Sequence, residues 1–133
     1  MYLDVFGRQW KGPFSFSFEN IQNVGSDLKG VYMLMLGTRP EELQTAYIGI
    51  ATQSNSIRAR LLKHFRGSHN WAIARIREPQ RYSFVFFACD DLTAHQIEGF
   101  IFRNHKPPFN VRPESVYFEY NGQWYSVSSI TVH

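Results

Sequence analysis

The chain has 133 residues, a formal net charge of +3 and 17% aromatic residues, among them 12 Phe, 7 Tyr and 3 Trp. This length allows one domain with a sizeable core, and the aromatic content excludes an intrinsically disordered chain. No apolar run approaches the roughly 20 residues of a membrane span, and the single Cys89 excludes an internal disulfide or a thiolate zinc cluster. The N-terminus lacks the basic and apolar regions of a signal peptide, so we expect a cytoplasmic protein without a membrane partner.

Hydrophobic periodicity predicts the elements in chain order. Residues 1–12 allow no prediction, strict alternation over 14–19 predicts a half-buried strand, and 20–29 predicts a loop. Gly30–Leu36 is apolar on both alternating faces, which predicts a central strand covered on two sides. After an exposed connection at 37–45, the remaining elements are predicted as a strand at 46–50, helices at 56–66 and 69–77, a strand at 82–88, a helix at 93–104 and two strands at 116–120 and 123–127.

Two local signals are especially clear. Thr93 and Gln96 have the spacing of a capping box, with Thr93 as the helix N-cap. Asn121-Gly122 is the strongest short hairpin signal available. Together the elements predict an α+β fold, in which a three-stranded mixed or antiparallel sheet is flanked by helices and extended by an N-terminal strand and a C-terminal hairpin. We expect one domain over 1–133, with its core at about 30–111.

Basic residues are concentrated in one segment. Between residues 58 and 81 the charge is +6, while the remaining seven basic and ten acidic residues give −3. Such a segment favours a polyanion partner, although a solvated helical surface has the same composition. The residues predicted to bind nucleic acid are Arg58, Lys63, Arg66, Arg75 and Arg77.

Polar side chains in the two longer helices suit phosphate chemistry. Arg60 and His64 lie four residues apart, so they stack on one flank of their helix. An arginine fork matches a phosphate, and a histidine donates, accepts or moves a proton near pH 7. Glu98 falls inside the apolar arc of the last helix on a helical wheel, and a carboxylate removed from water costs several kcal/mol unless something pairs with it. Glu98 is therefore either neutral or paired with a cation, and the candidates are Arg60 and a metal ion.

Five features occur in order along residues 30–111: Gly30-Val31-Tyr32, Tyr47-Ile48-Gly49, Arg60 with His64, Glu98 and Asn110. In this order they resemble the motifs of the GIY-YIG nuclease family. Each motif also falls on the predicted element that the family uses for it: consecutive strands for the triplets, the first helix for the arginine and the last helix for the glutamate. The tail of that helix, residues 98–110, is similar to the excision-nuclease branch, in which a glutamate precedes a lysine-proline turn and an asparagine.

The resemblance implies a metal-dependent endonuclease that hydrolyses DNA phosphodiester bonds with Mg²⁺ or Mn²⁺. It implies Glu98 as the only protein ligand of the metal and Arg60 as the group that binds the scissile phosphate. Tyr32 or Tyr47 would position or deprotonate the attacking water. Free tyrosine is only about 0.1% phenolate at pH 7, so either the metal or Arg60 lowers its pKa, or the metal activates the water itself. His64 would relay the proton or hold a phosphate.

Three further residues are expected to support this site. Asn110 would fix the last turn or orient Glu98, and Gly49 and His69 complete the supporting set. We expect Tyr32, Tyr47, Arg60, His64 and Glu98 to converge on one concave face.

The chain departs from the family pattern at two places. Ile50 follows the second triplet where the family often has a lysine or a small polar residue, which could have helped to acidify a tyrosine or water. The loop before the helix is a few residues longer than usual, so Arg58 competes with Arg60 for the phosphate role. Arg60 is preferred because it pairs with His64 along the helix.

Two alternative functions remain compatible with the residues. One is a catalytically weak or inactive domain of the same fold that binds nucleic acid. The other is an α/β domain that binds a protein partner through its aromatic surface. Salt-dependent DNA affinity separates the protein-binding alternative from the other two.

Overall fold

Five antiparallel strands form the central sheet. The computed structural model describes residues 2–4, 7–66 and 78–105, and the backbone of 117–120 and 123–126. The sheet has the order β1-β2-β5-β3-β4, and its strands are β1 (Tyr2–Leu3), β2 (Gln9–Ser15), β3 (Gly30–Leu36), β4 (Gln44–Ala51) and β5 (Tyr82–Ala88). The described helices are α1 (Phe18–Gln22), α2 (Ile57–Phe65) and α3 (Asp91–His105). Strands β6 (Tyr117–Tyr120) and β7 (Gln123–Ser126) pair as a separate antiparallel hairpin.

The predicted α+β class is confirmed, and the sheet differs from the prediction in size. Strands β3, β4 and β5 form the predicted three-stranded centre, and all their pairings are antiparallel. Strand β2 extends this centre by pairing with β5, and β1 extends it further. The helix predicted at 69–77 lies outside the described residues. None of the described helices combines the length and apolar character needed to cross a membrane.

The N-terminal strand is displaced from its predicted position. The alternating stretch 14–19 contains only the end of β2, and residues 18–22 are helical. The backbone turns because Ser17 Oγ accepts a hydrogen bond from Asn20 N at 3.2 Å, and Asn20 Nδ2 donates one to Ser15 O at 2.9 Å. Such local side-chain bonds compete with the sheet ladder and end the strand. The prediction of a strand through residue 19 is therefore wrong.

Helix α3 also starts differently from the prediction. It begins at Asp91, so Thr93 is inside the first turn and is not the N-cap. Asp90 occupies the preceding position, and its carboxylate accepts a hydrogen bond from Thr93 N at 2.8 Å. Hydrogen bonds from the side chain and then the backbone of Thr93 hold the pKa of Asp90 below its usual value. Aspartate is preferred over threonine as an N-cap, and its charge favours the positive end of the helix dipole.

The sheet has a separate core on each face. Successive side chains of a strand point to opposite faces, so Tyr32 and Leu34 lie on one side of β3 and Val31 and Met33 on the other. The first side, here called the α2 face, packs against α1 and α2. The second side, the α3 face, packs against α3. Strand β4 is the last strand of the described sheet, and both α2 and α3 contact it.

Candidate active site

A hydrogen bond between Tyr32 and His64 lies at the centre of the candidate site. The Tyr32 hydroxyl and His64 Nε2 are 2.7 Å apart on the α2 face. Both residues are buried, with 0% of Tyr32 and 2% of His64 exposed. A separation of 2.7 Å between the oxygen and the nitrogen corresponds to a well-formed hydrogen bond, and a shielded environment strengthens it.

Tyr47 adds a third ring to this pair. Its ring lies edge-on to His64, with centroids 5.0 Å apart, and 6.3 Å from the ring of Tyr32. The antiparallel register places Gly49 directly opposite Tyr32. The residue paired with Tyr32 in β4 therefore has no side chain, which leaves space beside the Tyr32 ring at this position.

The local sequence explains how these rings are brought together. Gly30 begins β3 with a positive φ of 147°, and a Cβ atom there would collide with Phe87 O in β5. The two tyrosines lie on neighbouring strands and point to the same face of the sheet. Helix α2 packs on this face and covers both of them. Ser56 caps α2 by accepting a hydrogen bond from Ala59 N at 3.1 Å, and the buried Ile57 and Leu61 anchor the helix on the sheet. His64 follows Leu61 by three residues and therefore also faces the sheet.

Arginine and lysine side chains extend along α2 from this cluster. Arg60 is half-buried and lies one turn before His64, with its Nε atom shielded from solvent. Arg58 is also half-buried, whereas Lys63 and Arg66 are exposed. The helix thus connects a solvent-facing basic surface with the buried tyrosine–histidine pair, and Arg60 is the cation on the same flank as His64.

Glu98 belongs to α3, the helix that packs against the opposite face of the sheet from α2. It is fully buried, as the helical wheel predicts, with 0% of the residue exposed. Its helix packs on the α3 face, through Ala94, Ile97 and Ile101, whereas Tyr32 and His64 lie on the α2 face. The expectation that Glu98 converges with the other four side chains stays a prediction. Since α2 and α3 both contact the outermost strand β4, the edge of that strand is the place where side chains from the two helices can approach each other.

Ile50 also belongs to the α3 face. It is buried and packs in the same cluster as Ala94 and Ile97 of α3. A polar or basic residue at position 50 would enter this apolar cluster on the side of the sheet opposite Tyr32. Isoleucine at this position thus stabilises the core between β4 and α3.

Sequence reasoning missed a second buried polar residue on α3. His95 is only 3% exposed and lies three residues before Glu98. Burial lowers the pKa of His95 to about 4, and the carboxylate of Asp91 acts in the opposite direction. The imidazole is therefore neutral at pH 7. The helical wheel that identified Glu98 also places His95 at the edge of the buried arc, so the signal was present in the sequence.

The Glu98 carboxylate on α3 suits a divalent cation that takes only one or two ligands from the protein. Among the described residues, no three His, Cys, Asp or Glu side chains form a group that could hold a metal ion. A carboxylate such as that of Glu98 is a hard oxygen ligand, and Mg²⁺ accepts one or two carboxylates while water and substrate phosphate provide the rest.

Cys89 is unsuited to nucleophilic chemistry, since burial is the largest factor raising the pKa of its thiol to about 12.

Several predicted site residues lie outside the described part of the chain. These are His69, Asn110, Arg75 and Arg77. Their assignments remain predictions.

No family model matches the chain, and searches of curated proteins and solved structures find no significant match. The functional assignment therefore depends on the chemistry of the site.

Proposed function

We propose that this protein is a metal-dependent endonuclease that hydrolyses DNA phosphodiester bonds. The observation that supports this function best is the 2.7 Å contact between the Tyr32 hydroxyl and His64 Nε2. A buried tyrosine needs a nearby proton acceptor to act as a base at neutral pH, and histidine is the side chain most suited to that task. The motif order along the chain and the basic surface of α2 agree with this function.

Tyr32 is the better candidate for the base than Tyr47. As water attacks, its oxygen forms a bond to phosphorus, and its proton passes to the Tyr32 oxygen. The Tyr32 proton passes at the same time to His64 Nε2, and the bond from phosphorus to one ester oxygen breaks. That oxygen leaves with the electron pair and takes a proton from solvent water. This relay requires neutral His64 with its other nitrogen protonated. Tyr47 packs against the His64 ring and restricts its orientation.

Arg60 and a metal ion held by Glu98 would provide the positive charge that the phosphate needs. The guanidinium of Arg60 would form two hydrogen bonds to phosphate oxygens and stabilise the charge that develops on them. Glu98 would hold Mg²⁺ or Mn²⁺, which supplies charge neutralisation and Lewis acidity at the phosphate. Lys63 and Arg66 would bind flanking phosphates without reading sequence.

A second candidate function is a nucleic-acid-binding domain without catalytic activity. Its supporting observation is the burial of Tyr32, Tyr47 and His64, each at most 2% exposed. A tyrosine–histidine bond in this environment also stabilises the contact between α2 and the sheet. In that case the basic face of α2 would bind DNA, and no phosphate would reach the pair.

Nicking of supercoiled plasmid separates the two functions. We expect wild-type protein to nick the plasmid with Mg²⁺ or Mn²⁺ and to lose this activity in chelator. Arg60→Gln and Arg58→Gln form a matched pair on one helix. Arg60→Gln should lower the nicking rate by about 10²–10³-fold, as for loss of one transition-state donor, whereas Arg58→Gln should chiefly weaken DNA binding. Salt-dependent binding without any metal-dependent nicking would favour the second function, and absence of DNA binding would refute both.

A further inference from the structure

Helix α3 buries two side chains with metal-ligating chemistry on one side. His95 is 3% exposed and Glu98 is 0% exposed, in a helix whose other buried residues include Ala94, Ile97 and Ile101. Residues three apart on a helix are neighbours, with Cβ atoms about 5–6 Å apart. The imidazole and the carboxylate therefore extend from adjacent points of the same helix face.

This spacing suits joint coordination of one cation. A Glu-x-x-His pair on a helix is a recurring ligand pair in metal-binding helical bundles, and His95 and Glu98 have the same separation in the reverse order. Asp91 lies one turn before His95, and its carboxylate is close enough to act on the imidazole electrostatically. A carboxylate in that position can accept the second ring N–H of a ligating histidine and fix its orientation.

We propose that His95 is a second protein ligand beside Glu98, and that the resulting site binds Mn²⁺ and other transition-metal cations in preference to Mg²⁺. The proposal depends on the assignment of Glu98 as metal ligand under the proposed function. A nitrogen ligand strengthens binding of transition metals, whereas Mg²⁺ gains little because it prefers oxygen donors. His95 thereby sets the metal preference of the site.

Metal binding to the DNA-free protein tests this proposal. Mn²⁺ affinity is measured by the electron paramagnetic resonance signal of free Mn²⁺, and Mg²⁺ affinity by competition with Mn²⁺. We expect His95→Gln to weaken Mn²⁺ binding by at least about tenfold and Mg²⁺ binding by less than about twofold. Glu98→Gln should weaken both. Gln96→Ala, on the same helix but on its far side, is the matched control and should change neither.

A measurement on the wild-type protein avoids any dependence on how the variants fold. Zn²⁺ is diamagnetic, so its addition should shift the ring ¹⁵N resonance of His95 in a histidine NMR spectrum by the large amount typical of direct coordination. Equal losses of Mn²⁺ and Mg²⁺ affinity in His95→Gln, unchanged Mn²⁺ affinity, or an unshifted His95 resonance would overturn the proposal. A chain that shows the His95-dependent preference but does not nick plasmid would retain this metal site and lose the proposed nuclease function.

Discussion

Replacing Tyr32 with phenylalanine removes one hydroxyl from the centre of the candidate site. The ring and its packing on the α2 face remain, and the 2.7 Å bond to His64 Nε2 is lost. If the bond serves catalysis, its loss should lower the nicking rate strongly. If the bond serves only packing, its loss should lower the stability of the fold and leave the nicking rate unchanged. Tyr47→Phe is the matched control, since it removes a hydroxyl from the neighbouring strand and keeps the edge-on ring contact with His64.

The expected magnitudes follow from burial. Loss of one partner leaves the other polar atom in a shielded position, which costs about 1–3 kcal/mol of folding free energy. In a chain of this size each kcal/mol lowers the melting temperature by roughly 3–5 °C, so we expect Tyr32→Phe to lower it by about 3–15 °C. A domain with 5–15 kcal/mol of stability stays mostly folded at 25 °C after such a loss. Loss of a general base lowers the rate by about 10²–10⁴-fold, equivalent to roughly 3–5 kcal/mol in activation free energy.

Single-turnover plasmid nicking with excess protein, beside thermal melts and DNA-binding titrations, measures both quantities. At 25 °C Tyr32→Phe should bind DNA as wild type does and nick it at least about 10²-fold more slowly. Tyr47→Phe should retain most of the rate. A Tyr32→Phe variant that is destabilised yet nicks at the wild-type rate would refute the role of Tyr32 as the base. A rate loss confined to Tyr47→Phe would assign that role to Tyr47.

Three further predictions concern charge. Glu98→Gln should abolish metal-dependent nicking while DNA binding persists. If Glu98 is a metal ligand, the variant should be no less stable than wild type in chelator. If Glu98 instead neutralises a buried arginine, the variant should lose about 3–5 kcal/mol of unfolding free energy. Lys63→Gln and Arg66→Gln should each weaken binding to unrelated duplexes alike and reduce the salt dependence by about one phosphate contact; loss at a single sequence would contradict this. Asp90→Ala should cost about 1 kcal/mol at pH 7. Because folding lowers the pKa of Asp90, its contribution is present above the unfolded-state pKa and is lost as pH falls through the folded-state pKa. The difference from wild type in urea unfolding should therefore shrink below about pH 4, and a constant difference would exclude the charged cap.

The sequence contained most of the elements of the fold. Strands β3 and β5 have the predicted bounds, because a strand buried on both faces is apolar throughout and ends where polar or turn residues begin. Helix α2 lies within one residue of its predicted bounds, because Ser56 is a strong N-cap followed by an amphipathic pattern. The errors occurred at Ser17 and Asp90. At Ser17 local side-chain hydrogen bonds end the strand and begin a helix, and at the start of α3 the N-cap is Asp90, three residues before the predicted Thr93.

The burial of Glu98 was also determined by the sequence, because helical periodicity alone places it among apolar residues. The partner of Tyr32 was not. The Tyr32–His64 bond depends on which turn of α2 lies above β3, and this is set by the packing of Ile57 and Leu61 on the sheet. The tertiary structure also decides that α3, which carries Glu98, covers the opposite side of the sheet from α2. Periodicity specifies which side of an element is buried, but only the tertiary structure determines what that side contacts, because contacts between elements depend on their relative position and orientation.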